Sequence, residues 1–247
     1  MTRPVGLLRL LYIQRRDDIT LNGEFHMNRS IIIAGSSGLV GRETLSALLS
    51  SQNISTVYAL SRRELNKQHQ KLKQIIDSNL SVPAIRLDSD LPDVGIIALG
   101  STIKKSGTKD KLRAIDVDLV VSTAANMKDL GVKHLIVVSC LGADSKARSH
   151  YLRCKGEMEN DVELLDFEKT TFLHPGPLAG DRQEKRTDEK LLQGALKVLK
   201  PMMIGRMKKY RPIQASNIAN SILVHLTFPS SRKVERLDSL DMIKLAS

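Results

Sequence analysis

The chain has 247 residues, of which 41% are hydrophobic, so it can bury the core of one large domain or two small ones. Its formal net charge of +11 is compatible with nucleic acid, an anionic membrane surface or a phosphorylated ligand as partner. Aromatic residues make up only 3% and tryptophan is absent, which argues against stacking-based binding of single strands. No run of about 18 apolar residues is present, so we expect no transmembrane segment. Cys140 and Cys154 have neither metal-site spacing nor the pattern of a disulfide framework, which predicts reduced thiols, no metal and a cytoplasmic location.

Residues 1–26 differ from the rest of the chain. They contain an apolar patch and an arginine pair, but no clear signal-peptide cleavage site, and their acidic residues argue against a transit peptide. A second methionine, Met27, stands directly before the first predicted strand. We therefore expect residues 1–26 to be a dispensable extension, either disordered or a non-native start, and residues 27–247 to form a single domain.

Predicted strands and helices alternate from Ser30 onward. Short apolar runs predict strands at Ser30–Ala34, Thr56–Leu60, Ala84–Asp88, Val94–Leu99, Lys133–Ser139 and Thr170–Pro175. Helical patterns lie at Leu39–Ser50, in the charged stretch 64–80, at Lys111–Leu130 with Gly131 as its C-terminal signal, and at Tyr151–Leu165. This order predicts an α/β fold with a doubly wound, mostly parallel sheet and helices on both faces. Five residues between Asp88 and Val94 are too few for a helical crossover, so the third strand or its helix should be shortened or irregular.

Three glycines spaced three apart, Gly35, Gly38 and Gly41, follow the first strand and open the first helix. Backbone N–H groups at a helix N-terminus bind phosphate, and a missing side chain lets the phosphate approach. A glycine-rich turn without a ligand is the alternative, but the strand–turn–helix context favours a nucleotide site. The spacing is not the G-x-G-x-x-G of ordinary Rossmann dehydrogenases.

The end of the second strand indicates which nucleotide is bound. An NAD site usually places an acidic residue there to bond the ribose 2′-hydroxyl, whereas this chain has Arg62 and Arg63. Two guanidinium groups can bind a 2′-phosphate through charge-assisted hydrogen bonds. If the pair is not simply a solvated part of a loop, the sequence favours NADP(H) over NAD(H).

Candidate catalytic residues lie about 100 residues further along the chain. Ser139 ends the fifth strand, and Tyr151 and Lys155 are four apart, on one face of the next helix. A nearby ammonium group lowers the pKa of a tyrosine hydroxyl, which can then exchange a proton with a carbonyl oxygen. Ser139 could donate a hydrogen bond to the same oxygen. A Y-x-x-x-K spacing alone occurs by chance, and it is the order of turn, serine, tyrosine and lysine that gives it weight.

This combination resembles the short-chain dehydrogenase/reductase superfamily, and more narrowly an atypical member of the Tat-interacting-protein type of NADPH-binding oxidoreductases. The resemblance extends from Ser30 to about Glu189. It is carried by GSSGLVG, SRR, ALGSTIKKSGTKDKLRAIDVDLV, GVKHLIVVSCLGADSKARSHYLRCKGEME and HPGPLAGDRQEKR. It implies a Rossmann-like NAD(P)-binding domain at residues 27–247, in which residues 177–247 contribute a small substrate-side cap.

The resemblance also implies a role for each group of residues. The glycine turn would hold the diphosphate and the arginine pair the 2′-phosphate. Ser139, Tyr151 and Lys155 would form the catalytic set, with Lys155 also bonding the nicotinamide ribose, and Pro175 and Gly176 would flank the nicotinamide. The implied cofactor-binding residues are Gly35, Ser36, Ser37, Gly38, Leu39, Val40, Gly41, Arg62, Arg63, Leu99, Gly100, Ser101, Tyr151, Lys155 and Pro175.

The chain departs from the family at two positions. Many members have an asparagine on the helix before the fifth strand, which helps to hold a proton-relay water, and Asp116 takes its place here. Relatives have RPG where this chain has HPG, and we interpret His174 as structural. The basic stretch 191–214 is interpreted as a capping helix with a solvated face, although a substrate-side lid or a membrane-surface or partner helix is also compatible with it. Lys104 and Lys105 are interpreted as solvated charges rather than contacts to an anionic substrate.

Two functions are compatible with these patterns. The first is an NADP(H)-dependent oxidoreductase that reduces a small-molecule carbonyl by hydride transfer. The second is an NADP(H)-binding regulatory or redox-sensor protein that acts through partners with little turnover. The complete Ser–Tyr–Lys set favours the first, and Asp116 and the basic C-terminal stretch leave room for the second. A monomer, a homodimer and a protein partner are all compatible with the sequence, and no specific nucleic-acid partner is expected.

Overall fold

The computed structural model of the protein describes residues 29–81, 91–179, 210 and 212–247. The predicted extension at residues 1–26, the predicted strand Ala84–Asp88 and most of the basic stretch 191–214 lie outside the described residues.

A seven-stranded, fully parallel sheet forms the centre of the described fold. The strands in the described ranges are β1 (Arg29–Ala34), β2 (Ile54–Ser61), β3 (Leu72–Ile76), β4 (Val94–Ile97), β5 (His134–Val138), β6 (Lys169–His174), β7 (Leu178–Ala179), β8 (Ile213–Gln214) and β9 (Val234–Asp238). The order across the large sheet is β3-β2-β1-β4-β5-β6-β9, and β7 pairs with β8 in a separate parallel sheet. The parallel pairing of all seven strands confirms the predicted parallel sheet.

Helices cover both faces of this sheet. They are α1 (Leu39–Ser50), α2 (Ile103–Ser106), α3 (Lys109–Arg113), α4 (Leu119–Asp129), α5 (His150–Leu164), α6 (Ala215–Thr227) and α7 (Ser239–Ala246), with a π-helical segment at Ala114–Asp118. On one face α1 packs against α6 and α6 against α7, and on the other face α4 packs against α5. Within the described ranges, none of the helices is both long and apolar enough to cross a bilayer.

The two faces of the sheet have separate hydrophobic cores because side chains alternate along each strand. In β1, Ile31 and Ile33 belong to the core shared with α1 and α6, whereas Ile32 belongs to the core shared with α4 and α5. All three are fully buried. A strand that is buried on both faces has to be apolar throughout, as in the sequence run SIIIA.

The helix predicted over residues 64–80 is wrong, because Leu72–Ile76 forms the edge strand β3 and pairs in parallel with β2. The charged residues that suggested a solvated helix are tolerated because an edge strand is only partly buried. The side-chain amide of Gln74 accepts a hydrogen bond from the Leu65 backbone and donates one back to its carbonyl. This closes residues 62–71 into a connection without a helix. The shortened or irregular connection expected between Asp88 and Val94 lies largely outside the described residues.

The helix predicted over Lys111–Leu130 is present but interrupted. It runs as α3, the π-helical segment and α4, and Gly131 follows it with a φ of +91°, as its predicted C-terminal signal requires. Pi-helical turns inside α-helices often mark functional sites. Here the π-helical segment contains Asp116, which is completely buried.

Candidate active site

The turn between β1 and α1 contains the three predicted glycines, and two of them are required by the fold itself. Gly35 has a φ of +91°, and a Cβ on it would lie 2.5 Å from the Ala98 carbonyl oxygen. A Cβ on Gly41 would lie 2.1 Å from the Gly35 carbonyl oxygen, so a side chain there would push α1 away from the turn. Both glycines would therefore be needed even if no ligand were bound.

Gly38 is not required in this way. Its backbone is extended, with φ −75° and ψ 170°, and any residue can adopt that conformation. The nearest atom to an added Cβ is the Gly35 carbonyl oxygen at 3.4 Å, which is an ordinary contact. Gly38 lines a cavity of about 760 Å³ at the N-terminus of α1. The N-terminus of α1 has no side-chain cap from the described residues, and the missing side chain of Gly38 leaves space in front of it, an arrangement that fits a diphosphate group.

Gly38→Ala and Gly41→Ala are a matched pair of variants that separates these roles. We expect Gly38→Ala to keep the wild-type melting temperature but to weaken NADPH binding by about 10- to 100-fold, because the methyl group fills the space of the phosphate. We expect Gly41→Ala to lower the free energy of unfolding by about 1–3 kcal/mol or more, because its Cβ meets backbone. Thermal melts and calorimetric titration with NADPH measure both effects. A Gly38→Ala variant that binds NADPH as tightly as wild type would contradict the phosphate role.

The loops after β1, β4, β5 and β6 meet at the cavity, on the carboxyl edge of the sheet where open α/β folds bind ligands. Leu99, Gly100 and Ser101 line it after β4, and Pro175 and Gly176 line it after β6.

Asp116 connects the loop after β4 to Lys155. Its Oδ2 accepts a hydrogen bond from the Ser101 backbone N–H at 2.9 Å, and its Oδ1 lies 2.7 Å from Lys155 Nζ. The side chain of Asp116 is 0% exposed and that of Lys155 is 3% exposed. Opposite charges buried this deeply persist only when each compensates the other. Asp116 therefore fixes Lys155 and the loop together, a role that the sequence analysis did not predict.

Tyr151 and Lys155 lie one turn apart on α5 and both line the cavity. The side chains of Tyr151 and Cys140, the residue directly after Ser139, form a hydrogen bond. Burial raises the pKa of the Cys140 thiol to about 11, although the Lys155 ammonium and the Tyr151 bond act in the opposite direction. Cys140 is therefore a neutral thiol at physiological pH. It is the residue of this site that the sequence analysis missed.

Ser139 also lines the cavity, but its hydroxyl donates a hydrogen bond to the buried carboxylate of Glu159 on α5. Glu159 accepts further hydrogen bonds from His174 Nε2 at 2.8 Å and from Arg236 Nε on β9 at 3.0 Å. Burial alone would raise the pKa of Glu159, but His174, Ser139 and Arg236 together hold that pKa below its ordinary value of about 4.5. His174 thus has the structural contact that was expected of it, and Ser139 belongs to this buried network.

We expect Glu159→Gln to lower the free energy of unfolding at pH 7 by about 1–3 kcal/mol, because three donors lose a charged acceptor. A carboxylate with a lowered folded-state pKa stabilises the fold above its unfolded-state pKa, and this stabilisation is lost as pH falls through the folded-state value. The difference between wild type and variant should therefore be complete above about pH 5 and shrink below about pH 4.5. Urea unfolding at pH 7 and pH 4 measures it.

Glu163→Gln is the control for this prediction. Glu163 also pairs with Arg236, but its side chain is 34% exposed. We expect that variant to change stability by less than about 1 kcal/mol. Equal losses in the two variants, or a Glu159→Gln loss that does not depend on pH, would contradict the role given to the buried carboxylate.

The remaining predicted residues differ in their position relative to the cavity. Arg62 and Arg63 directly follow β2 at the same carboxyl edge, but both are exposed and neither lines the cavity. Ser36 is buried, and its hydroxyl has no hydrogen-bond partner in the described part of the chain. Lys105 is exposed and lines the cavity, whereas the side chain of Lys104 lies outside the described part of the structure.

Comparison with known proteins identifies the family. The sequence pattern of HIM1 matches residues 49–209. The chain belongs to the HIM1 family. Protein HTATIP2 of Rattus norvegicus is 31% identical over 233 residues, which cover 92% of this HIM1-family chain and 93% of that protein. The protein named "fmp52, mitochondrial" of Emericella nidulans is 33% identical over 166 residues, which cover 65% of this chain and 71% of that protein.

The fold of this HIM1-family chain is that of NAD(P)-binding oxidoreductases. A short-chain dehydrogenase/reductase superfamily protein of Agrobacterium tumefaciens, with bound NAD, has a similar structure with a TM-score of 0.62. The two sequences are 15% identical, and the match covers 85% of this chain and 77% of that one. The predicted fold class and the predicted resemblance to an atypical short-chain dehydrogenase/reductase are confirmed.

The predicted cytoplasmic location is wrong, because it conflicts with the FMP52 relatives, whose names call them mitochondrial. The prediction rested on unpaired cysteines and an ordinary composition. These properties do not distinguish the cytosol from other reducing compartments of the cell.

Proposed function

We propose that this HIM1-family protein is an NADP(H)-dependent oxidoreductase that reduces a carbonyl group of a small molecule. The observation that carries the proposal is one cavity lined both by Gly38 and by the Tyr151–Lys155 pair. Gly38 lacks a side chain at a place where the protein itself leaves room for one. The bound NAD of the Agrobacterium tumefaciens protein supports a nicotinamide cofactor for this fold.

The described residues account for the proton side of the reaction. When bound, NADPH supplies a hydride to the carbonyl carbon and leaves as NADP⁺. The Tyr151 hydroxyl donates its proton to the carbonyl oxygen, so that C=O becomes CH–OH. The Lys155 ammonium stabilises the phenolate that remains, and Asp116 holds Lys155 in place at 2.7 Å. A cavity of about 760 Å³ is in the usual range for small-molecule sites.

Arg62 and Arg63 support NADP(H) rather than NAD(H), because a 2′-phosphate near the end of β2 would gain charge-assisted hydrogen bonds. We expect the double variant Arg62→Ala/Arg63→Ala to raise the KM for NADPH by about 10- to 100-fold and to leave the KM for NADH within about threefold. Steady-state kinetics with each cofactor measures this.

A matched double variant, Lys133→Ala/Lys233→Ala, removes the same charge from two exposed lysines beside the amino ends of β5 and β9. It should leave both KM values unchanged. Similar changes in the two double variants would show that net charge, not a 2′-phosphate contact, sets the cofactor preference.

Oxidation of NADPH, followed by its absorbance against a panel of aldehydes and ketones, tests the proposed activity. Turnover with at least one carbonyl compound is the expected result. Tight NADPH binding without turnover on any of them would favour the second function, an NADP(H)-binding regulatory protein. One observation favours this second function. The Ser139 hydroxyl already donates a hydrogen bond to Glu159, and the neighbouring Cys140 thiol is only a weak hydrogen-bond donor.

A further inference from the structure

The cavity contains a side chain that the proposed reaction does not use, the thiol of Cys140. Cys140 is 9% exposed and lines the cavity together with Tyr151 and Lys155. We propose that Cys140, rather than Ser139, is the side chain at the end of β5 that positions the Tyr151 hydroxyl for proton transfer. The predicted change in kcat/KM rests on the proposed function, whereas the predicted change in the titration of Tyr151 does not.

Alternation along β5 determines which face of the sheet the Ser139 side chain lies on. Leu135 and Val137 belong to the core on the α4 and α5 face, whereas Ile136 and Val138 contact the core on the α1 face. Ser139 follows the alternation of Leu135 and Val137, and its hydroxyl donates a hydrogen bond to Glu159 of α5. A buried carboxylate is a strong acceptor, so the hydroxyl proton of Ser139 is already used.

Cys140 is in contact with Tyr151. Its sulfur and the Tyr151 hydroxyl form a hydrogen bond at the wall of the cavity that both residues line. Since burial keeps the thiol protonated, its S–H can donate in return to the phenolate oxygen once Tyr151 has given its proton away. A thiol is weak as both donor and acceptor, so Cys140 restrains the Tyr151 hydroxyl only lightly.

Substitution of Cys140 should therefore change the titration of Tyr151 in both directions. A serine hydroxyl is a stronger donor than a thiol, so Cys140→Ser stabilises the phenolate and lowers the pKa of Tyr151. Cys140→Ala removes the donor and raises that pKa. We expect each shift to be about half a unit to one unit. Ser139→Ala should leave the titration of Tyr151 unchanged.

The experiment is a pH titration of the full chain labelled with tyrosine carrying ¹³C at Cζ, with the Tyr151 signal assigned by its absence in Tyr151→Phe. The sequence has four tyrosines, so the spectrum is simple. Circular dichroism melts confirm that each variant is folded. Cys154→Ser, which replaces the second buried thiol, is the matched control and should not shift the Tyr151 signal.

The kinetic arm follows the pH profile of kcat/KM, which should move with the titration, and Cys140→Ala should lower kcat/KM at pH 7 by about 3- to 10-fold. An unchanged Tyr151 titration in both folded Cys140 variants overturns the proposal, and so does a Ser139→Ala shift larger than the Cys140→Ala shift. Because the titration needs no turnover, a protein without reductase activity still gives a clear answer about Cys140.

Discussion

Replacing Tyr151 by phenylalanine is expected to lower kcat by about 10²- to 10⁴-fold, because the proposed reaction loses its proton donor. The aromatic ring stays on the cavity wall, and the glycine turn and the loop after β4 are untouched. We therefore expect the dissociation constant for NADPH to stay within about threefold of the wild-type value. Stopped-flow measurement of NADPH oxidation and calorimetric titration of NADPH give the two quantities separately.

Tyr210→Phe is the matched control, because Tyr210 is a second tyrosine that lines the same cavity and is 43% exposed. It should keep kcat close to the wild-type value. Full turnover in Tyr151→Phe would remove Tyr151 from the reaction, and an equal loss in both variants would indicate that the cavity needs tyrosine hydroxyls for binding rather than for proton transfer.

Asp116→Ala is expected to cause the largest loss of stability among the site variants. It leaves the Lys155 ammonium buried without its partner at 2.7 Å and leaves the Ser101 N–H without its acceptor. Removing one partner of a buried pair lowers stability by about 3–5 kcal/mol. For a chain of this size we expect the melting temperature to fall by about 6 to 20 °C, measured by circular dichroism at pH 7.

Two further variants separate charge from packing. Asp116→Asn keeps an oxygen for the Ser101 N–H and should be less destabilising than Asp116→Ala. The double variant Asp116→Leu/Lys155→Met removes both charges and should recover most of the stability, although it removes the lysine that the proposed reaction uses. If the double variant were less stable than Asp116→Ala, the unpaired ammonium would not be the cause of the loss.

The sequence predicted those parts of the fold where hydrophobic pattern and turn chemistry agree. The run at Ser30–Ala34, buried on both faces, predicted the central strand, and the glycines after it predicted the turn that opens the cavity. The prediction of a helix over residues 64–80 is wrong at the edge strand Leu72–Ile76, because the lysine and glutamine of this strand resemble a solvated helical face. Local pattern does not show that an edge strand can keep such residues half exposed.

The site was predicted in part for a similar reason. Tyr151 and Lys155 were found because helical spacing places residues four apart on one face. Ser139 and Cys140 are adjacent at the end of a strand, where a step of one residue reverses the direction of the side chain. Counting the alternation back from Leu135 and Val137 would have placed Ser139 on the α5 face. The contact between Asp116 and Lys155 depends on a π-helical segment that no pattern in the sequence predicted.

The position of Arg236 has a consequence for the order in which the chain can mature during synthesis. A ribosome makes Ser139, Glu159 and His174 well before it makes β9, and β9 completes the sheet beside β6. Until β9 has left the exit tunnel, the carboxylate of Glu159 lacks its guanidinium and β6 has an open edge. The buried network of Ser139, Glu159 and His174 therefore stays incomplete while the chain between His174 and Arg236 is being made, and it reaches its final form only when β9 joins the sheet.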